Sequence, residues 1–190
     1  MNPITRTIDL FVDQKKFFEE YNPKNFPVFL IILLSAVVSG IYTWISTTQI
    51  EATSAIPKEF VGTITGLSIA GAVIGSIVFW IIDSLLFFIS LKIFGHSNCR
   101  FGEILKICGY AIGIDIFHTV ILILVFFVGQ PVPIALFLLS IVFLAWKVPI
   151  WFFGFRSLNQ GMAKKELMTS VFVPAIIIAI VTFFSSGILV

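Results

Sequence analysis

Five apolar runs, at residues 26–46, 69–94, 104–128, 132–155 and 169–190, leave this chain few folds to choose from. A hydrocarbon core ~30 Å thick is crossed by about 20 helical residues rising ~1.5 Å each, so every run is long enough to span. Strands of an outer-membrane barrel would need alternating polarity over about ten residues, whereas 116–127 is apolar on every face. Charged residues make up 12% of the sequence, roughly half the ~25% of a soluble domain and too few to clothe a wet surface. The expected fold class is all-α: an integral membrane bundle of five transmembrane helices. Within 190 residues no separate soluble catalytic domain fits beside them.

Basic residues then orient the bundle. With the N-terminus inside, Arg6, Lys15, Lys16, Lys24, Lys92, Arg100, Lys106, Arg156, Lys164 and Lys165 all fall on the cytoplasmic side, and Lys147 lies in the inner half of the fourth run. Lys58 alone is left outside. Retention of Lys and Arg in cytoplasmic loops orients multispanning proteins, so the expected topology is a multi-pass cell-membrane protein with a cytoplasmic N-terminus and an external C-terminus. The net charge of +2 does not point to nucleic acid. Cys99 and Cys108, in or near an inner loop, are expected as reduced thiols. The first run starts late, behind Asp9, Asp13, Glu19 and Glu20, and no small-residue cleavage site follows it, so it reads as a retained span rather than a signal peptide.

Two parts are expected: an N-terminal segment, 1–25, and the membrane domain, 26–190. Residues 4–21 place Ile4, Ile8, Phe11 and Phe18 at helical spacing, with Phe17 and Tyr21 less regular and charges between them. This pattern predicts an interfacial amphipathic helix on the inner leaflet, a solvated tail being the alternative. Asn22-Pro23 and Pro27 break it. Residues 47–65 read as a polar outer loop and 129–133 as a tight outer hairpin. Gly62, Gly66, Gly71 and Gly75 form a stripe that predicts close packing of the second span against a neighbour. The inner loops 95–106 and 156–166 hold most remaining polar side chains and should face each other and the N-terminal segment.

Three ionisable residues lie deep in spans. Asp83 is nine residues before Lys92, Asp115 nine after Lys106, and Lys147 nine before Arg156. At ~1.5 Å per residue each lies ~14 Å from the inner basic layer, near the midplane. His118 is one turn above Asp115. A charge at this depth costs at least ~2.5–3.5 kcal/mol and pairs or faces a wet cavity. Spans two, three and four are therefore expected to meet there, with Lys147 between Asp83 and Asp115 and a proton on one Asp or on His118 balancing the excess charge. Three readings stand: a polar lock between helices, a proton or cation relay, or a Lys147 that merely snorkels inward.

Other chemistry is sparse. His96-x-x-Cys99 with Cys108 lacks a fourth ligand and a C-x-x-C pair, so no metal is expected. Gly66-x-Ser68-x-Ala70 lacks the final glycine of a nucleophile elbow, and no Walker loop, H-E-x-x-H or dinucleotide fingerprint occurs. Neither an enzyme nor a cofactor is expected.

Leu91-Lys92-Ile93-Phe94-Gly95, followed by Phe101, Leu105 and Gly109-Tyr110-Ala111, resembles the Yip family pattern of an apolar helix ending in Leu-x-x-Phe/Leu-Gly, a short polar loop and a Gly-Tyr-Ala segment. Ala145-Trp146, Phe153-Gly154-Phe155-Arg156 and Gly161 are similar to the family's Trp…Gly-Leu-Arg region. The two stretches cover 79–163, and the spacing of spans extends the likeness over nearly the whole chain. Ile114-Asp115 stands where a proline is common, and the long N-terminal region of eukaryotic members is missing, as in the shorter prokaryotic ones. The resemblance implies five spans with a cytoplasmic N-terminus. It bears less on the Rab-type GTPase binding of eukaryotic members.

Two functions follow as expectations. The first is a non-enzymatic membrane scaffold presenting a cytoplasmic surface to a protein or lipid partner through Arg100, Glu103, Lys106, Tyr110, Arg156, Asn159, Lys164 and Lys165. The second is a small transporter or channel, working as a homo-oligomer, with Asp83, Asp115, His118 and Lys147 as its ion or proton path. No inverted repeat of a monomeric carrier is visible.

Overall fold

The computed structural model describes residues 3–20, 28–53, 58–95, 98–128 and 133–185. Every regular element among them is helical: α1 (Pro3–Val12), α2 (Gln14–Glu20), α3 (Val28–Thr53), α4 (Lys58–Phe94), α5 (Phe101–Val128), α6 (Pro133–Leu158) and α7 (Lys164–Ser185). Five of them, α3 to α7, are long and apolar enough to cross a membrane. The Asn22-Pro23 and Pro27 breakers, most of the 129–133 hairpin, His96 and the final residues 186–190 lie outside the described residues.

The polar stretch 47–65, expected as a loop, is mostly helix. α3 runs on to Thr53 and α4 starts at Lys58. Hydroxyls explain the difference, because each can return to a carbonyl of its own helix instead of seeking water. Thr47 Oγ1 donates to Thr43 O at 2.7 Å, Thr48 to Ile45 O at 2.9 Å and Thr65 to Val61 O at 3.0 Å.

Around the bundle the order is α3, α5, α6, α7, α4 and back to α3, with α4 and α5 also touching across the ring. Where α3 meets α5, Gly109 lets Val28 and Ile32 come so close that a Cβ would overlap Val28. Small residues at such crossings let helices gain dispersion contacts, which drive association where lipid and side chain are equally apolar. The stripe Gly62, Gly66, Gly71, Gly75 behaves otherwise. Nothing lies within 4 Å of a Cβ built at any of the four, so the expected close contact is absent within the described residues; α3 packs Gly40 on Ile69 and Val73 instead.

Packing is uneven along the axis. Phe87, Leu91, Ile104, Ile107, Ile114, Ile150, Trp151, Phe155, Leu167 and Val171 are buried at the end carrying the 95–100 and 159–163 loops. Toward the opposite end Leu67, Ile74, Leu124, Phe127, Leu138 and Val142 are exposed. The bundle is tight at the loop end and open at the other.

Candidate functional site

The ionisable residues of the spans sit on three helices. Lys147 Nζ of α6 lies 2.5 Å from Asp115 Oδ1 of α5, with the lysine side chain 14% and the aspartate 34% exposed. Such a pair offsets two charges that would each be costly in hydrocarbon. Lys147 does not bridge two carboxylates. Asp83 of α4 feels the charges of both partners at longer range and joins no ion pair among the described residues. His118 also stands aside: its Nε2 is 3.4 Å from Ser140 Oγ, and its ring lies 5.0 Å from that of Phe143.

An aromatic cluster is built from residues close to the pair in sequence. Phe117, two residues beyond Asp115, stacks on Trp146, the neighbour of Lys147, at 6.2 Å, and Phe143 lies 6.0 Å from Trp146. Phe11 of α1 closes the group, edge-on to Phe117 at 5.0 Å. The Phe11 carbonyl ends the first helix, where carbonyls lose their intrahelical partners. It accepts Gln14 Nε2 at 2.9 Å and Trp146 Nε1 at 3.1 Å.

The N-terminal amphipathic segment is thus helical and turned onto the bundle. Asp13 divides it, capping α2 through Oδ1 to the Lys16 amide at 3.1 Å. Leu10, Phe17 and Phe18 are buried. Phe17 and Phe18 meet Tyr110 edge-on at 5.5 and 6.0 Å. Gly154 makes room for Phe18 and Ile107: a Cβ there would stand 3.1 Å from Phe18 Cζ and 2.6 Å from Ile107 Cγ2. Gly113 receives the Phe11 ring in the same way. Protein thus covers Leu10, Phe17 and Phe18, while Ile8 and Val12 of the same segment stay exposed.

At the loop end, the loops before α5 and before α7 touch. Asn159 Nδ2 donates to Cys99 Sγ at 2.8 Å, and Met162 packs so tightly on Gly95 that a Cβ there would stand 2.5 Å from Met162 Cε. Arg100, Lys106, Arg156, Lys164 and Lys165 are exposed around this junction, and Asn159 is half-buried. Two residues expected on that surface have other work. Tyr110 is fully buried under Phe17 and Phe18, so it cannot meet a partner. Glu103 Oε2 accepts the Arg100 amide at 2.9 Å and closes the first turn of α5, the reciprocal half of a capping box. Glu three residues after the cap position was the available signal, obscured because Arg100 replaces the usual Ser or Thr.

One linkage had no signal in the periodicity. Pro174 inside α7 has no N–H, so the carbonyl of Ser170 loses its helical partner. Ser90 Oγ of α4 donates to that carbonyl at 2.9 Å, both serines being buried. A backbone group stranded in hydrocarbon costs several kcal/mol, so the proline and the serine across the interface belong together. Trp80 Nε1 likewise donates to Leu105 O at 2.9 Å and ties α4 to α5.

Spans this apolar, with one charge pair closed between two of them and their polar loops gathered at one end, define a multi-pass helical membrane protein. The model of the Yip1 domain matches residues 8–185, and the chain belongs to that family. No curated protein and no solved structure matches it. The family-like motifs fall on contact positions: Gly109 and Tyr110 hold α3 and α2, and Gly154 and Phe155 face Ile107, Phe18 and Phe87.

Proposed function

We propose that this protein is a non-enzymatic membrane scaffold that offers its basic loop end to a protein or lipid partner on the cytoplasmic side. In this reading 26–190 is the membrane domain and 1–25 a segment docked on its cytoplasmic half. The observation that carries it is the junction of the inner loops, where Asn159–Cys99 and Gly95–Met162 join two loops into one platform rimmed by exposed cations. The orientation rests on the distribution of Lys and Arg. Photocrosslinkers at Arg100 and Arg156 in native membranes should capture one consistent species. Capture no different from that at an opposite-end site such as Leu124 would reject the reading.

Direct pairing of Lys147 with Asp115 supports a structural lock: each charge of the pair already has its counter-ion. The rival, an ion or proton path through Asp83, Asp115, His118 and Lys147, predicts flux in reconstituted liposomes that Asp115→Asn abolishes. The scaffold predicts none from either protein.

A further inference from the structure

One face of α7 is left uncovered by the bundle, and its chemistry is graded. Leu167, Ser170, Val171 and Ala175 are buried against the neighbouring helices. On the other side Lys164, Lys165, Met168, Thr169, Phe172, Val173 and Ile176 line a groove of about 720 Å³. Both lysines are exposed at its loop-end mouth, and beyond them the lining is apolar apart from Thr169. The Thr169 hydroxyl is already spent on Lys165 O at 3.0 Å.

We propose that this groove is a binding site for an anionic phospholipid, with the phosphate and acidic headgroup on Lys164 and Lys165 and an acyl chain along Met168, Phe172 and Ile176. Charge and length both select this occupant. Two cations with no carboxylate among the lining residues complement an anionic headgroup, each basic residue favouring an anionic over a neutral lipid surface by about fivefold. From Lys164 to Ile176 the helix rises ~18 Å, close to the ~15 Å of one leaflet's hydrocarbon plus its headgroup edge. A second copy on the same face would bring Lys164 and Lys165 of both chains together against one exposed Glu166 from each. The inference deepens the scaffold reading and rests on it in naming a lipid as one partner of the same basic end.

The test uses the full chain in vesicles. Phe172→Trp puts an indole in the groove, and its emission is taken as the difference from the unsubstituted protein. Chain-brominated phosphatidylglycerol and phosphatidylcholine are compared as quenchers at equal mole fraction. Stronger quenching by the anionic lipid is expected, with the relative binding constant falling at least fivefold when Lys164→Gln and Lys165→Gln are added, and falling also at high salt. Equal quenching by both lipids overturns the site. Quenching by neither also overturns it, because another chain then covers the face. Both lysines are exposed and the glutamine variants keep the helix, so a folding defect does not imitate the result. Equal quenching with the Arg100 crosslink retained removes only the lipid site; a selective groove without that crosslink removes only the protein partner.

Discussion

Asp115 and Lys147 show how much one contact carries in this bundle. Asp115→Asn leaves the Lys147 ammonium without its direct partner, a cost of about 2.5–3.5 kcal/mol at the depth the sequence spacing implies, and Lys147→Met alone strands the carboxylate. The double substitution removes both charges, so the two losses should fail to add by about 0.5–3 kcal/mol in unfolding measurements. Strict additivity would mean the contact carries no energy. Glycines give a prediction of opposite signs. Gly109→Ala drives a methyl into Val28 and should cost about 1–3 kcal/mol. Gly66→Ala meets open space and should gain about 0.5–1 kcal/mol from the stiffer backbone; thermal melts in detergent separate the two. The sequence shows a glycine in each place but not which faces a helix. Its charges were more legible, because nine-residue spacings place Asp115 and Lys147 at one depth. The same spacing put Asp83 there too; it feels both charges yet joins no ion pair among the described residues, because a shared depth does not set the distance between side chains.

Single helices are defined here by what repairs them. Removing Ser90 by Ser90→Ala leaves the Ser170 carbonyl bare in α7, and a loss of about 1–2 kcal/mol is expected. In a Pro174→Ala background the restored amide takes that carbonyl, so Ser90→Ala should then cost little; an equal cost in both backgrounds would show that the bond contributes nothing. The N-terminal helices depend on sockets instead. Gly154→Ala pushes against both Phe18 and Ile107. It should release α2, speeding tryptic cleavage after Lys15 and Lys16 in intact proteoliposomes whose loop end is accessible. Unchanged protection would mean that lipid, not Gly154, holds the segment. The helical character of α1 and α2 was readable from the periodicity, but their partner was not. An apolar face suits a bilayer and a protein notch equally, and only the glycines opposite it, far along the chain, distinguish them.

At the level of the whole molecule, the five spans followed from hydropathy and length because hydrocarbon demands closed backbone bonding. Their neighbour order did not, since lipid-facing and helix-facing positions are both apolar. α4 shows what the uneven packing implies. Its 37 residues measure ~55 Å, well beyond the ~30 Å of a hydrocarbon core. It is buried at Phe87 and Leu91, whereas toward its start Leu67 and Ile74 stay exposed and α3 packs against it through Gly40 on Ile69 and Val73. A thinner or thicker bilayer is therefore accommodated by tilting and splaying of the open half, at fractions of a kcal/mol per Å. Amide exchange in nanodiscs of different thickness should change over residues 60–78 and stay constant over 104–114. That outcome would make the molecule a compliant stem beneath a stiff platform, its basic face keeping one shape across membranes of different thickness.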